Sequence, residues 1–339
     1  VIAADIQKEA IEECKRNIKN IKVKFIVSDL FENIPKKKFD TIIFNPPYLP
    51  EDIKLKDITV EGGKKGYETL ERFFNYANGF LKPNGVILIV FSSLTNKAKV
   101  NEFIENHLLE FKELERQRIF FEELYVYMIR KSALLKKLEA NGITNIKRLA
   151  KGHRGLIFAG KLGKRKVAVK IQRKDIDAKG TVNREAKILK ILNKYNIGPK
   201  VVFSGDNFFV YYFIEGKFIE EFLKNSSKED IIKVLRDIFM QCCEMDRLGI
   251  NKEEMNHPYK HIIIGKNRKA FLLDFERARK TKNPHNVTQF CQYVTSGKFN
   301  YLVRNKLSIN KEKIIKAAKA YKKQTSKKNL NDIIKLIDC

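Results

Sequence analysis

Residues 44–50 read Phe44-Asn45-Pro46-Pro47-Tyr48-Leu49-Pro50, and this stretch decides the reading of the first half of the chain. The apolar run Thr41-Ile42-Ile43-Phe44 has the composition of a strand, and two adjacent prolines stop it. Proline locks its own φ and offers no backbone N–H, so a strand that reaches Pro46 must end there. What stands beyond the stop is rigidly presented: the amide of Asn45, the carbonyl of Pro46 and the ring of Tyr48. The side-chain oxygen of Asn45 and the Pro46 carbonyl can each accept one hydrogen of an NH2 group. The plainer reading of such a stop is a stiff turn after a strand.

Outward from this stop, short apolar strands alternate with helical spacing. Val1–Ala4, Lys24–Val27, Thr41–Phe44 and Val86–Phe91 read as strands, and 8–20 and 70–80 as helices. Alternation of this kind predicts a doubly wound α/β domain, a parallel sheet covered on both faces. Residues 118–129 are aromatic and β-rich and predict an antiparallel edge pair. In open parallel sheets, ligands bind beyond the carboxyl ends of the strands. Three such ends carry polar groups here: Asp5, Ser28-Asp29, and Asn45 with its prolines. An acid ending a strand can accept both hydroxyls of a ribose, although singly it is more often a helix cap.

The order of Asp5, Asp29 and Asn-Pro-Pro-Tyr resembles S-adenosylmethionine-dependent methyltransferases that modify planar nitrogens. Glu61-Gly62-Gly63-Lys64-Lys65-Gly66, Leu81-Lys82-Pro83-Asn84-Gly85 and Phe120-Phe121-Glu122-Glu123-Leu124-Tyr125-Val126 narrow it. They are similar to the HemK-type glutamine methyltransferases, over residues 1 to about 130. The resemblance implies a class I methyltransferase fold and methylation of the glutamine of the GGQ tripeptide in class-I translation release factors. It also implies a small zinc-containing activator subunit. Asp5, Asp29 and Asn45 would bind the cofactor, and Asn45, Pro46 and Tyr48 would hold the substrate amide. An amide nitrogen is a poor nucleophile, so positioning and polarisation carry most of the effect. The family places a glycine-rich loop after its first strand. None precedes Asp5 here, and Val1 already stands inside a strand. The expectation is therefore a domain lacking its first strand and glycine loop, with the true N-terminus further upstream. Methylation of adenine or guanine nitrogens in nucleic acid is an alternative.

From Ile146 onward the pattern changes. Residues 132–141 read as a connecting helix. Hairpin strands (156–161, 166–172), a helix (182–193), two strands (200–203, 208–213) and then mainly helix follow, including the Lys-rich tail 309–338. Strands first and helices later predict a separate α+β domain over 131–339, with a first lobe near 143–214 and a second near 215–339. Lys151-Gly152-His153-Arg154-Gly155 opens the first hairpin. Val167-Ala168-Val169-Lys170 follows on a strand, Glu185 on a helix, and Asp274-Phe275-Glu276 much later.

This ordered set resembles the two-lobed protein-kinase fold. The resemblance implies ATP and Mg2+. Gly152 and Gly155 would approach the phosphates, Lys170 would bind them and be oriented by Glu185, and Asp274 would hold the metal. Ala168, Tyr212 and Ile214 would line the adenine site in the 211–215 hinge. The H-R-D catalytic loop has no clear counterpart in 251–261. His261 lies thirteen residues before Asp274, where the family places its second metal ligand. Spacing then puts Asn256 in the catalytic position, while the local text puts Glu254 there, and we favour Glu254. Only residues 277–286 separate Glu276 from the next helical pattern, which leaves no activation segment. The match is closer to the small atypical kinases, the RIO family and the KEOPS-complex kinase. An inactive kinase-like domain, and with it a non-catalytic adaptor, is the alternative.

Composition frames these readings. The chain has 339 residues and a formal net charge of +28. Residues 1–130 hold 21 Lys and Arg against 20 Asp and Glu, whereas 131–339 hold 47 against 20. So basic a second half fits RNA or ribosome contact, or a Lys-rich solvated surface. The five cysteines form no C-x-x-C pair, which argues against a disulfide framework or structural zinc and for a reducing cytoplasmic setting. No apolar run is long enough for a membrane span.

Overall fold

The computed structural model describes residues 1–19, 22–51, 57, 59–151, 155–173 and 180–338. The chain divides into two compact units, Val1–Leu149 with Phe158–Arg165 and Ala150–Ile157 with Lys166–Cys339. Among the described residues no helix is long and apolar enough to cross a membrane.

The first unit runs β1 (Ile2–Asp5), α1 (Lys8–Asn17), β2 (Lys24–Val27), β3 (Phe39–Phe44), α2 (Glu68–Phe80), β4 (Leu81–Ser92), α3 (Lys97–Asn106), β5 (Leu109–Ile119), β6 (Glu122–Lys131), α4 (Ala133–Ala140) and β7 (Ile143–Lys151). The helix α2 buries Leu70, Phe73, Phe74 and Ala77, the i, i+3, i+4, i+7 face that tertiary packing requires. Phe44, the last residue of β3, stacks on Phe73 with ring centroids 4.5 Å apart. Phe91 of β4 meets Tyr127 of β6 edge-on at 4.8 Å.

The expected single parallel sheet is present in two pieces. Strands β1 and β2 form a parallel pair, Ile2 opposite Lys24 through Asp5 opposite Val27. Strands β3-β4-β6-β5 form a separate sheet in that order. Only β3 and β4 are parallel there, and β6 is antiparallel to both β4 and β5. The reason for the antiparallel half is the turn: Ile119 pairs with Glu122 across two residues, and so short a link admits no parallel crossover. The expected edge pair is real but longer, since β5 begins at Leu109. It reads poorly as a strand because Glu, Lys or Arg fills six of its eleven positions, and nearly all of these are exposed.

The chain continues with β8 (Gly155–Leu162), β9 (Arg165–Gln172), α5 (Thr181–Asn193), β10 (Val201–Gly205), β11 (Phe208–Tyr212), β12 (Lys217–Phe218), α6 (Ile219–Asn225), α7 (Lys228–Arg247), β13 (Ile250–Asn251), β14 (Ile262–Ile264), β15 (Ala270–Leu272), β16 (Arg279–Lys280), α8 (Asn286–Val294), α9 (Gly297–Val303), α10 (Lys311–Lys323) and α11 (Lys327–Asp338). A five-stranded sheet has the order β10-β11-β9-β8-β7. The mainly helical remainder carries two further small sheets, β12-β14-β15 and β13-β16. At two or three residues each, their strands are too short to leave a period in the sequence.

A buried polar knot fixes the loop that follows α7. Asp246 is 6% exposed. Its carboxylate accepts the backbone N–H groups of Asn286 and Val287, the Asn286 side-chain amide and the Tyr321 hydroxyl. Asn286 in turn accepts from the Lys252 amide at 2.8 Å, and Asn251 accepts from the His285 amide at 3.0 Å. Burial pushes the Asp246 carboxyl pKa up, and these donors oppose it. Asp246→Ala leaves several buried donors unpaired and is expected to cost about 3–5 kcal/mol, read as a lower urea midpoint. An unchanged midpoint contradicts this.

Candidate functional site

The first constellation sits where β3 ends, at Phe44, as the prolines require. The segment beyond is braced from two sides. The Tyr48 and Leu49 amides both donate to the Val60 carbonyl, at 3.0 and 2.8 Å, and the Gly62 amide donates back to Leu49 at 2.8 Å. A Cβ on Gly62 would lie 2.5 Å from the Pro47 carbonyl oxygen, and one on Gly66 2.7 Å from that of Tyr48. Gly66 also has a φ of +80°, a conformation that L side chains rarely adopt. These glycines are a backbone brace for residues 47–50. The sequence shows the stretch but not what it packs on. Gly66→Ala is expected to cost about 1–3 kcal/mol in urea unfolding; a cost near zero would mean that the brace yields freely.

The second side of the brace is the turn after β4. Thr95 Oγ1 donates to the Tyr48 carbonyl at 2.9 Å. Ser92 caps the turn, and its hydroxyl also donates to Glu122. Burial raises the pKa of the Tyr48 hydroxyl, and the negative charge of Glu122 adds to this. Ser92 and Thr95 were not among the residues singled out from sequence, and Glu122 was quoted only as part of the 120–126 stretch, because only the fold brings them to Tyr48.

Asp5, Asp29 and Asn45, each at the end of a different strand, come together in the lining of one cavity of about 420 Å³. That volume falls within the range of small-molecule sites, roughly 300–1,000 Å³. Pro46 is buried, and neither it nor Tyr48 is among the lining residues. Asp5 Oδ1 accepts the Gln7 amide at 2.8 Å, a local turn ahead of α1, whose N-cap Gln7 has no side-chain cap hydrogen bond. Asp29 Oδ2 is ion-paired with Arg72 at 2.6 Å. Ala4 of β1 and Thr41–Phe44 of β3 line the same cavity. Among the described residues β1 pairs only with β2, and β3 only with β4, so each has an unpaired edge. Ile43 is 78% exposed there, an unusual state for an apolar residue in the middle of such a fold. The carboxylates and amide fit a polar, hydroxyl-bearing cofactor.

The second constellation lies wholly in the second unit. Lys170 Nζ stands 2.7 Å from Glu185 Oε2, 3.3 Å from Asp274 Oδ1 and 3.5 Å from Glu276 Oε2. Burial alone would lower the Lys170 pKa, but Glu185 and Asp274 outweigh it and hold it above the ordinary lysine value. Glu185 Oε1 also accepts the Phe275 amide at 3.1 Å. A Cβ on Gly155 would lie 3.1 Å from Lys170 Cε, so a glycine lets the hairpin pass close over the lysine. Ala168 pairs with Tyr211 on β11. Tyr212 ends that strand with its amide donated to Lys200, and Ile214 lies just past it. Gly152 lies outside the described residues.

The loop residues complete the cluster. Glu254, His261 and Asp274 place one ligand atom each within 4.8 Å of one another. Asp274 has a φ of +59°, a left-handed backbone that a non-glycine adopts only when its surroundings impose it. Lys252, which sequence did not single out, supplies part of that constraint. It is fully buried and donates Nζ to the Asp274 carbonyl at 3.0 Å. Burial would raise the Asp274 carboxyl pKa, but Lys170 and Lys252 together lower it. Burial and Lys252 lower the pKa of His261, so its ring is a neutral donor set. Carboxylates and an imidazole fit a divalent cation.

Residues 1–121 match the family model described as the methyltransferase small domain. The fold of this part is that of class I S-adenosylmethionine-dependent methyltransferases. A protein of Methanocaldococcus jannaschii, provisionally named a protein N5-glutamine methyltransferase, is 38% identical over 133 residues, 37% of this chain and 67% of that protein. A release factor glutamine methyltransferase of Aquifex aeolicus is 36% identical over 100 residues, 26% of this chain and 36% of that protein. The chain belongs, through this N-terminal part, to the N5-glutamine methyltransferase family. It spans about two thirds of the length of the first relative and about a third of the second. The Mtq2–Trm112 complex of E. cuniculi, described as responsible for methylating the eRF1 translation termination factor, aligns at 23% identity over 39% of this chain and 72% of that one. Its TM-score of 0.32 is too low to carry an argument.

Proposed function

We propose that the first unit transfers a methyl group from S-adenosylmethionine to the side-chain nitrogen of a glutamine, with the GGQ glutamine of a class-I release factor as substrate. The observation that carries this is Asn45 at the end of β3, lining one cavity with Asp5 and Asp29, just ahead of the braced segment 47–50. S-adenosylmethionine, when bound, supplies an electrophilic methyl group. Asp5 and Asp29 would hold its hydroxyl and amine groups. Asn45 Oδ1 and the Pro46 carbonyl accept the two amide hydrogens of the glutamine, which fixes where its nitrogen lone pair points. Tyr48 provides a flat wall for the amide plane. The unpaired edges of β1 and β3 leave room for a further parallel strand, so the expected strand and glycine loop belong to this proposal.

The test uses the protein as its gene encodes it, isotopically labelled S-adenosylmethionine and a release factor. Mass spectrometry should place the methyl on the GGQ glutamine. Label on a nucleic-acid amine would overturn the substrate, and no label on any of these would overturn the reading.

For the second unit we infer ATP binding with a divalent cation, and phosphoryl transfer to a Ser or Thr hydroxyl or to water. The cluster of Lys170, Glu185 and Asp274 supports this. Lys170 would hold the α- and β-phosphates, Asp274 and His261 the cation, and Glu254 would take the proton of the attacking hydroxyl. ATP with Mg2+ should raise the melting temperature of the chain, and Asp274→Asn should remove most of that rise. No rise with the parent chain sinks this reading.

A further inference from the structure

The cluster of Glu254, His261 and Asp274 holds an arrangement that phosphate chemistry alone does not call for. Asp274 Oδ1 is occupied: Lys170 lies at 3.3 Å and the Glu276 amide at 3.4 Å. Its other oxygen, Oδ2, faces His261 Nδ1 at 3.8 Å. That is too long for a hydrogen bond, and among the described residues Nδ1 is a buried atom with no hydrogen-bond partner. Two lone-pair donors thus face each other across a gap. With metal–ligand bonds of about 2.0–2.2 Å, two ligands of one ion stand roughly 3–4 Å apart. On the far side of the ring, Nε2 stands 3.4 Å from Glu254 Oε2. Glu254 Oε1 is steadied by Arg277 at 3.3 Å. A carboxylate on the remote nitrogen is the arrangement that fixes the tautomer of a metal-bound histidine and leaves the near nitrogen free to bind.

The backbone supports the same geometry. The Leu273 amide donates to the His261 carbonyl at 2.7 Å, which ties the two ligand-bearing segments together one residue before Asp274. Lys252 Nζ fixes the Asp274 carbonyl from behind. Both ligands are therefore held by main-chain contacts and do not depend on the ion to be placed.

We propose that His261 Nδ1 and Asp274 Oδ2 bind a first-row transition cation of the cobalt–zinc group in preference to magnesium, with Glu254 orienting the imidazole from Nε2. Magnesium takes oxygen ligands and dehydrates reluctantly, whereas imidazole nitrogen favours the later transition ions. This rests on the nucleotide reading for the place of the cation, at Asp274 and His261, and adds to it the class of cation that the site selects. It makes Glu254 a positioning residue rather than the base.

The test is a titration of the whole, tag-free chain with Co2+ alone, without nucleotide, followed by visible d–d absorption and by calorimetry. One equivalent of Co2+ should bind, Zn2+ should displace it, and a large excess of Mg2+ should not. His261→Asn should weaken Co2+ binding at least about tenfold while changing Mg2+ binding little, which narrows the preference. Glu254→Gln should weaken Co2+ roughly 10–100-fold without abolishing it. Both side chains are partly exposed, and unchanged circular dichroism will show that the variants fold. Displacement of Co2+ by equimolar Mg2+, or a Co2+ band unaltered in both variants, overturns the proposal. Co2+ binding with no ATP-induced stabilisation supports this site and sinks the nucleotide reading. ATP binding with Mg2+ preferred over Co2+ does the reverse.

Discussion

Asn45→Ala is expected to lower methyl transfer to the release-factor glutamine by about 10²–10³-fold, the size found when one preorganised group at a reacting centre is removed. Cofactor affinity, measured by calorimetry on the encoded protein, should change by no more than a few-fold. The contrast follows from position. Asn45 is exposed on the cavity rim, so its loss leaves no buried group unsatisfied. The brace holding residues 47–50 is made by Val60, Gly62, Gly66 and Thr95, none of which the substitution touches. Asn45→Asp should be as damaging. A carboxylate still accepts hydrogen bonds, but its charge would bind the amide too tightly in the ground state and attract a cation instead. Transfer that survives Asn45→Ala within about tenfold would remove the residue from the chemistry.

Lys170→Met is expected to cost the second unit about 3–5 kcal/mol, the usual penalty for breaking a buried pair. The lysine side chain is 10% exposed and its Glu185 partner 3%. Without Lys170 the Glu185 carboxylate loses its cation, and burial pushes its pKa up against only the Phe275 amide. A raised carboxyl pKa means that the folded variant binds a proton that the unfolded chain has released. Its stability is therefore greatest in acid and falls as the pH rises through the raised value. Relative to the parent, the deficit in urea should shrink on going from neutral pH to acid. Adding Glu185→Leu should restore much of the loss at neutral pH, because an apolar pair carries no desolvation cost. Equal deficits at both pH values would show that packing, not charge, explains the loss.

How much of this was legible beforehand depends on the range of the interaction involved. Strand β3 and its stop could be read because proline constrains its own dihedral angle. Helix α2 could be read because its apolar face repeats at helical spacing. Strand β5 could not, because its charges fall on both faces of a largely exposed strand and leave no alternation to read. Strands β12 to β16 left no signal because two or three residues do not make a period. Among site residues, the strand-end acids and the Lys170, Glu185 and Asp274 set were visible through residue type and order. Lys252 was not, since a lysine in a charged loop reads as solvated, and only the fold puts it in full burial behind Asp274.

The sequence by itself determined where β3 ends, which chemical groups stand at that end, and the order in which Lys170, Glu185 and Asp274 follow one another. Those facts are local, set by single dihedral constraints and by spacing along the chain. Tertiary structure alone decided that Asp5, Asp29 and Asn45 share one cavity, that two glycines brace the proline segment, and that β1 and β3 meet that cavity with unpaired edges. It also decided that His261 turns toward Asp274 a nitrogen that is unpaired among the described residues. Each of these is a contact between residues distant in the chain, and such contacts exist only once packing has brought their backbones together.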